Sequence, residues 1–315
     1  MTHRGGVALM LSMAFSLAIS VGAYGADTLR IGYQKSATTL VLLKGEGSLE
    51  KSLAAQGVNV KWTEFPGGPQ LLEGLNVGAI DFGYTGETPP VFAQAAGAKL
   101  VYVANEPASP TAEAILVPKD SPLRTVAALK GKKVALNKGS NVHYLLVQAL
   151  QEAGLAYSDI IPVYLSPADA RAAFVSGNVD AWVIWDPFDA AAQQQLQART
   201  LRDGKGIVAN YEFYLATSDF AKRHPQVITT LIGQIRLVDK KATDDPQAVT
   251  QLVAPLLGLP EDITRIAVER QNYQAAFIAP EVIANQQQIA DTFASLKLIP
   301  QRLNVKQAVW TPPAL

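Results

Sequence analysis

The chain has 315 residues, more than the roughly 250 that a single hydrophobic core usually serves, so its length favours two lobes. Its 27 lysines and arginines balance 27 aspartates and glutamates, which leaves no basic excess for binding nucleic acid or anionic lipid. Cysteine is absent and histidine occurs three times. This composition excludes disulfides, cysteine nucleophiles, thiolate metal sites and multi-histidine metal sites, and we expect neither a metal nor a cofactor.

The N-terminal residues have the three-part pattern of a secretory signal peptide. His3 and Arg4 precede an apolar run over residues 7–21, and small residues follow it. Because the run is shorter than the roughly 20 residues of a membrane span, a cleaved signal is favoured over a membrane anchor. We therefore predict that residues 1–26 are an export signal, with three candidate cleavage positions: Ala23, Gly25 and Ala26.

After the signal, predicted strands and helices alternate along the chain. The first run contains strands at residues 29–33, 58–65, 80–84 and 99–104, separated by a helical stretch to about residue 56 and by helices at 69–77 and 89–96. A second run repeats the plan, with strands at 132–136, 160–165 and 181–185 and helices at 141–154 and 166–177. Alternation of this kind predicts an α/β fold, in which helices cover both faces of parallel sheets.

From about residue 218 the pattern is mostly helical, with predicted helices at 227–242, 247–258, 261–271 and 280–298. Two apolar segments, 112–123 and 211–219, are predicted to cross between lobes. We therefore assign residues 27–117 and 212–315 to lobe 1 and residues 118–211 to lobe 2. The two runs also echo each other weakly, since Gly78 and Asp81 correspond to Gly177 and Asp180.

Four predicted strand ends carry unusual residues. Ligands of open parallel sheets bind beyond the carboxyl ends of the strands, where helices begin. The residues at these ends are Gln34-Lys35-Ser36, Thr85-Gly86-Glu87, Lys138-Gly139-Ser140-Asn141 and Trp185-Asp186-Pro187. We predict that these turns form the two halves of one ligand site.

The sequence Gly139-Ser140-Asn141 precedes an amphipathic helix and suits an anion. The first turn of a helix leaves backbone N–H groups unpaired, and the helix dipole adds partial positive charge there. Glycine allows close approach and the two side chains add neutral donors, so sulfonate, sulfate, phosphate and nitrate are candidate ligands. The alternative is that Ser140 only caps the helix. Gln34 is likewise either a neutral donor for an anion or an ordinary surface glutamine.

Three further residues each allow two interpretations. Trp185 either packs against the body of an alkyl or aryl ligand or belongs to the core. Asp186, before a proline, either caps the next helix or orients neighbouring donors. Glu87 either complements a helix dipole or meets the amine of a zwitterionic ligand. His143 has no histidine or cysteine near it in the sequence, so we predict no catalytic residue.

Several long strings of this sequence resemble the aliphatic-sulfonate-binding proteins of ABC importers. They are IGYQK, EFPGGPQLLEGLNVGAIDFGYTGETPPVFAQAAGA, LKGKKVALNKGSNVH, SPADARAAFVSGNVDAWVIWDPF and FYLA. The resemblance runs from about residue 29 to residue 310. That family is similar to a wider group of proteins that bind taurine, nitrate and thiamine precursors.

The resemblance implies a type II periplasmic-binding-protein fold, in which two α/β lobes joined by two crossing segments enclose the ligand. It implies a periplasmic monomer without enzymatic activity, which captures an aliphatic sulfonate for sulfur acquisition and delivers it to a membrane permease with a cytoplasmic ATPase. It places the sulfonate among Gln34, the turn Thr85-Gly86-Glu87 and the helix start at Ser140-Asn141, with Trp185 and Asp186 on the wall of lobe 2.

The sequence departs from the family pattern on the ligand side. Tyr84 and Glu87 stand where serine and aspartate are expected, and Asn141 and Val142 replace a more serine-rich turn. These changes leave the ligand open among alkanesulfonates, taurine-like sulfonates and buffer-type sulfonates. The alternatives on the same fold are a binder of nitrate or another small anion, an enzyme related to thiamine-precursor synthesis and an exported sensor partner.

Overall fold

The computed structural model describes Met1 and residues 27–312, so the predicted export signal lies, apart from Met1, outside the described residues. Within the described part, a six-stranded sheet and a five-stranded sheet are each packed against helices. We refer to the six-stranded sheet with its helices as lobe 1 and to the five-stranded sheet with its helices as lobe 2. This architecture confirms the predicted α/β class.

The first segment of the chain builds most of lobe 1. Its elements are β1 (Asp27–Tyr33), α1 (Thr38–Glu46), α2 (Ser48–Ala54), β2 (Val58–Glu64), α3 (Gly68–Asn76), β3 (Phe82–Gly86), α4 (Pro89–Ala95) and β4 (Leu100–Glu106). Strand β1 pairs in parallel with β2 and β3. The helical stretch predicted to about residue 56 is two helices, because Gly47 takes a left-handed conformation, with φ 62°, between them.

The second segment builds lobe 2. Its elements are β5 (Glu113–Val117), β6 (Lys133–Leu136), α5 (Asn141–Glu152), β7 (Ile161–Tyr164), α6 (Pro167–Val175), β8 (Ala181–Trp185), α7 (Phe188–Leu196) and β9 (Arg199–Asp203). The strand order is β7-β6-β8-β5-β9; β6 pairs in parallel with β7 and β8, while β5 pairs antiparallel with β8 and β9. Helix α5 forms where predicted because its apolar stripe is fully buried: Val142, Leu145, Leu146, Ala149 and Leu150.

The third segment returns to lobe 1. Its elements are β10 (Glu212–Thr217), α8 (Ser218–Arg223), α9 (Pro225–Asp244), α10 (Pro246–Leu257), α11 (Glu261–Arg270), β11 (Ala276–Phe277) and α12 (Pro280–Ser295). Strand β10 inserts antiparallel between β3 and β4, which gives the order β11-β4-β10-β3-β1-β2. The mostly helical C-terminal part therefore packs around the sheet that the first segment began.

Residues 107–112 and 204–211 cross between the sheets. Strand β5 pairs with β8 and β9 in lobe 2, although the predicted division at residue 117 placed it in lobe 1. Because a short apolar strand can complete either sheet, its sequence does not specify which one it joins. Sheet membership moves the first boundary to a point before Glu113, while the predicted return at residue 212 coincides with the start of β10.

Both lobes are built alike where a helix leads into β3 or β8. Gly78 and Gly177 each have φ 72°, a conformation that favours glycine. Three residues later, a carboxylate oxygen of Asp81 accepts the N–H of Arg30 at 2.9 Å, and one of Asp180 accepts the N–H of Lys133 at 2.8 Å. The correspondence seen in the sequence is therefore a turn common to both lobes, in which the aspartate side chain bonds the backbone of the neighbouring parallel strand.

We predict opposite stability effects for two glycine-to-alanine substitutions. Nothing lies within 4 Å of a Cβ built on Gly177 or on Gly233, so neither substitution causes a clash. Gly177→Ala should lower the free energy of unfolding by roughly 1–2 kcal/mol, since alanine resists the left-handed conformation. Gly233→Ala, in the interior of α9, should raise it by up to about 1 kcal/mol. Urea denaturation of the two variants measures both, and a stabilised Gly177→Ala would contradict the conformational argument.

Candidate functional site

The two lobes touch where the carboxyl ends of their parallel strands face each other. A Cβ built on Gly86, at the end of β3, would lie 2.8 Å from the Cβ of Asn141, the first residue of α5. A side chain at position 86 would therefore collide with lobe 2 in this arrangement. The predicted turns Thr85-Gly86-Glu87 and Gly139-Ser140-Asn141 thus meet across the cleft.

Helices α3 and α5 begin beside this contact without a side-chain cap on their first-turn amides. Helix α4 also begins there, but Pro89 and Pro90 in its first turn carry no N–H, and the N–H of Val91 donates to the carbonyl of Thr88. An uncapped helix start presents free N–H donors and the positive end of the helix dipole. The gap between the lobes is therefore bordered by groups that attract an anion.

The turn before α5 is held by its own side chains. The Ser140 hydroxyl donates to the carbonyl of Asn137 at 2.7 Å, and the Gly139 N–H donates to Nδ1 of His143 at 3.1 Å. Ser140 therefore closes the turn and does not accept a bond from a helix amide, so the simple capping alternative is wrong. Burial lowers the pKa of His143 to about 3, which keeps the imidazole neutral.

Asn141 connects α5 to the start of β5 and to the crossing segment 204–211. Its side-chain amide donates to a carboxylate oxygen of Glu113 at 2.6 Å and to Oδ1 of Asn210 at 3.1 Å. Asn210 in turn donates to the carbonyl of Ser109 at 2.9 Å. A single side chain at the helix start is thereby bonded to β5 and to the segment that leads back to lobe 1.

Two predicted neutral donors of lobe 1 already have acceptors. Nε2 of Gln34 donates to the carbonyl of Tyr84 at 3.0 Å, and the Thr85 hydroxyl donates to the carbonyl of Gly86 at 2.9 Å. Both side chains are buried. They fix the shape of the β3 turn, and direct contact of either side chain with a ligand stays a prediction.

Buried carboxyl groups lie behind the lobe contact. Glu87 accepts the N–H of Tyr211 at 3.0 Å, and burial raises its pKa to about 7. Burial raises the pKa of Glu113 well above its ordinary value, and the nearby charge of Glu87 adds to this effect. The pKa of Glu212 rises to about 8, again chiefly through burial. Near neutral pH these acids are therefore largely or partly protonated, which reduces the negative charge beside an anion.

Trp185 and Asp186 line a cavity that adjoins the lobe contact. Its wall also includes Lys35, Ser36 and Glu212 of lobe 1, so both lobes contribute to it. Trp185 is buried, and its indole edge lies 3.6 Å from the position of a Cβ built on Gly67, at the start of α3. The tryptophan is therefore both packed and placed at the wall of the cleft, which combines the two interpretations of its role.

Asp186 has a structural role in the closed arrangement. One of its oxygens accepts the N–H of Ala190 at 2.9 Å, which agrees with the capping alternative. Nη1 of Arg270, on α11 of lobe 1, lies 3.4 Å from Asp186 and 3.0 Å from Asp189, so ion pairs join the lobes. Burial raises the pKa of Asp186 to about 6 and that of Asp189 to about 7, against the opposing effect of the Arg270 charge.

The sequence prediction missed several residues that the structure places at the cleft: Gly67, Asn137, Glu212 and Arg270. For Gly67 a signal was present, since Phe65-Pro66-Gly67-Gly68-Pro69 has the glycines and proline typical of a helix start. Arg270 gave no such signal, because its partner Asp186 is 84 residues away.

A metal-binding cluster and a membrane-spanning helix are both absent from residues 27–312. No cluster of three or more histidine, aspartate or glutamate side chains there has an arrangement that could hold a metal ion. No helix in that part of the chain has both the length and the apolar character needed to cross a membrane.

Comparison with known proteins agrees with this geometry. The family described as NMT1/THI5 like matches residues 53–249. An aliphatic sulfonates-binding protein of Escherichia coli (strain K12) is 45% identical over 314 residues, which cover 98% of this chain and 97% of that protein.

Two solved structures are also similar over most of the chain. The alkanesulfonate-binding protein SsuA of Xanthomonas axonopodis pv. citri, bound to MOPS, superposes with a TM-score of 0.87 at 43% identity, covering 90% of this chain and 98% of that one. The periplasmic aliphatic sulphonate binding protein SsuA of Escherichia coli gives a TM-score of 0.83 at 45% identity, with 92% and 94% coverage. The resemblance predicted from the sequence is thereby confirmed, and the chain belongs to the NMT1/THI5-like family and, within it, to the aliphatic-sulfonate-binding proteins.

Proposed function

We propose that this protein is the periplasmic solute-binding component of an ABC importer and that it captures aliphatic sulfonates for sulfur acquisition. The observation that carries the proposal is that the uncapped starts of α3 and α5, one in each lobe, lie beside the Gly86–Asn141 contact. The similarity to sulfonate-binding proteins over nearly the whole chain supports the same ligand class. The partners are a membrane permease and its ATPase, and the protein acts as a monomer.

The sulfonate headgroup binds through backbone N–H groups of the first helical turns. A sulfonate carries one negative charge spread over three oxygens, so several neutral donors can share it without a full countercharge. The first turns of α3 and α5 lie in opposite lobes and keep N–H groups, whereas Pro89 and Pro90 leave the start of α4 without them. A ligand held by both lobes stabilises the closed form by its higher affinity for that form, and this difference drives closure.

The body of the ligand lies towards Trp185 and the cavity beside it. The indole supplies a rigid apolar wall, while Lys35 and Ser36 add polar groups on the other side. A planar nitrate ion would leave this apolar wall without a contact, which favours a ligand with a tail. Delivery without chemical change agrees with the absence of cysteine and with the neutral, buried state of His143.

Titration calorimetry with butanesulfonate, nitrate and sulfate tests the proposal directly. We expect saturable binding of butanesulfonate with one ligand per chain and much weaker binding of the two inorganic anions. Incubation of the pure protein with sulfonates and sulfate esters should leave them unchanged by mass spectrometry. Nitrate binding tighter than butanesulfonate binding, or turnover of a sulfonate, would overturn the assignment.

Gly86→Val should abolish tight sulfonate binding. A side chain at this position would meet Asn141 at a distance that real Cβ atoms do not adopt, so the lobes could not close on the ligand. We expect at least a tenfold loss of butanesulfonate affinity. Gly233→Ala is the matched control, because nothing lies within 4 Å of a Cβ built on Gly233. The affinity of this variant for butanesulfonate should equal that of the wild type. Unchanged affinity in Gly86→Val would show that binding does not need this contact.

Sulfonate affinity should rise as the pH falls from 8 to 6. Glu87, with a pKa of about 7, is ionised above that value and neutral below it, and only its ionised form repels the headgroup. Glu113, Glu212 and Asp189 also face this region, and Glu212, with a pKa of about 8, acts in the same direction. Calorimetry at the two pH values should show a change of roughly threefold to tenfold.

Glu87→Gln isolates the contribution of this carboxyl group, because the amide oxygen can still accept the Tyr211 N–H while carrying no charge. The pH dependence should become clearly smaller. The control is Glu281→Gln on the exposed surface of α12, which should keep the wild-type profile. A Glu87→Gln profile equal to that of the wild type would exclude Glu87 as the titrating group.

Arg270→Gln should favour the open form. It removes the cation that pairs with Asp186 and Asp189 across the lobes and leaves two buried carboxyl groups without a countercharge, which usually costs about 3–5 kcal/mol. Butanesulfonate affinity should fall at least tenfold, and small-angle scattering with ligand should show a larger radius of gyration. Arg265→Gln, on the same helix and paired only with Glu269, is the control that should behave as wild type. A radius of gyration with ligand equal to that of the wild type would argue that these ion pairs do not stabilise the closed form.

A further inference from the structure

Two amide oxygens of opposite lobes lie beside the indole ring of Trp185. Measured from the position of a Cβ on Gly67, Oε1 of Gln70 is at 2.9 Å, while Oδ1 of Asn137 and the edge of Trp185 are each at 3.6 Å. Neither oxygen accepts a hydrogen bond from any donor in residues 27–312, although both are shielded from solvent. A buried acceptor without a donor destabilises the folded protein, so these two oxygens favour a bound ligand that supplies a hydrogen-bond donor.

The orientation of the Asn137 side chain follows from its surroundings. Its Nδ2 donates to the carbonyl of Leu165 at 3.3 Å, and the reversed amide would set two acceptors against each other there. Oδ1 therefore points to Gly67 and Trp185. Asn137 is only 6% exposed, so bulk water does not solvate this oxygen.

Nearby lysines do not supply the missing donor. Nζ of Lys35 donates to the carbonyl of Leu257 at 3.3 Å, and Nζ of Lys138 lies over the ring of Tyr164, 5.3 Å from its centroid. The two amide oxygens would repel a sulfonate headgroup but suit an N–H donor. These groups together match an ammonium group better than a hydrocarbon end.

We propose that Asn137, Gln70 and Trp185 form a subsite for a protonated amine on the ligand, so that the preferred ligands are aminoalkanesulfonates. This inference rests on the proposed function, since it adds a second recognition point to the same cleft. The unpaired helix starts take the sulfonate, and the two neutral amide oxygens take the ammonium group. Neutral acceptors suit this task because they attract the ammonium group without adding a full negative charge near the sulfonate.

Aminopropanesulfonate and butanesulfonate are a matched pair of probes, since they differ only in a terminal ammonium group in place of a methyl group. In calorimetry at neutral pH, the wild-type protein should bind aminopropanesulfonate roughly tenfold more tightly. Equal affinity, or preference for butanesulfonate, would overturn the amine subsite and leave the proposed function standing. Failure of both probes to bind would overturn the proposed function itself.

Two variants locate the effect. Asn137→Leu and Gln70→Leu should each reduce the preference for aminopropanesulfonate at least threefold, while butanesulfonate affinity changes little. Gln70 is half-buried in the first turn of α3, so its variant should fold even if the buried Asn137→Leu does not. The control is Asn59→Leu, on the exposed face of β2, which should keep the wild-type ratio. A preference that survives in Gln70→Leu and in a folded Asn137→Leu would exclude this subsite.

Discussion

The close approach of Gly86 to Asn141 is the constraint on which the cleft depends. It is possible because β3 ends in a residue without a side chain, so that the backbone of lobe 1 reaches the first turn of α5. Asn141 uses its amide to bond Glu113, the first residue of β5 after one crossing segment, and Asn210, within the other crossing segment. The contact between Gly86 and Asn141 and the conformation of the chain at the crossings are therefore coupled through the Asn141 side chain. A ligand that draws the lobes together at this point acts directly on the segments that must bend.

The electrostatics of the cleft balance two opposing needs. An anion requires a site of low negative charge, yet the half-buried Glu212 and four buried acids surround this one: Glu87, Glu113, Asp186 and Asp189. Arg270 offsets two of them, and burial raises the pKa of the others so that protonation lowers their charge near neutral pH. In the proposed mode of binding, the headgroup is held by backbone amides, whose partial charges are fixed in place and need no desolvated cation.

The parts of this structure that could be predicted from sequence are those set by local periodicity and turn chemistry. The buried stripe of α5, the Ser166 cap of α6 and the strand ending at Trp185 all follow from short-range patterns. Sheet membership of β5 could not be predicted, because its apolar residues suit either sheet. The partners of the site residues could not be predicted either, because Asp186 contacts Arg270 and Glu87 contacts Tyr211 only in the folded chain. Ser140 stays a predicted ligand residue, and its hydroxyl bonds its own turn.

The shared construction of the lobes shows where function has shaped them differently. Gly78 and Asp81 correspond to Gly177 and Asp180 in the other lobe. With the same spacing along the chain, Gly86 at the end of β3 corresponds to Trp185 at the end of β8. At the amino ends of these strands, both lobes keep the same glycine and aspartate because the turn demands them. At the carboxyl ends, one lobe has the smallest residue and the other the largest. The end of β3 thus lets the backbone of lobe 1 reach lobe 2, because Gly86 has no side chain. Trp185, at the end of β8, provides an apolar wall in the same cleft.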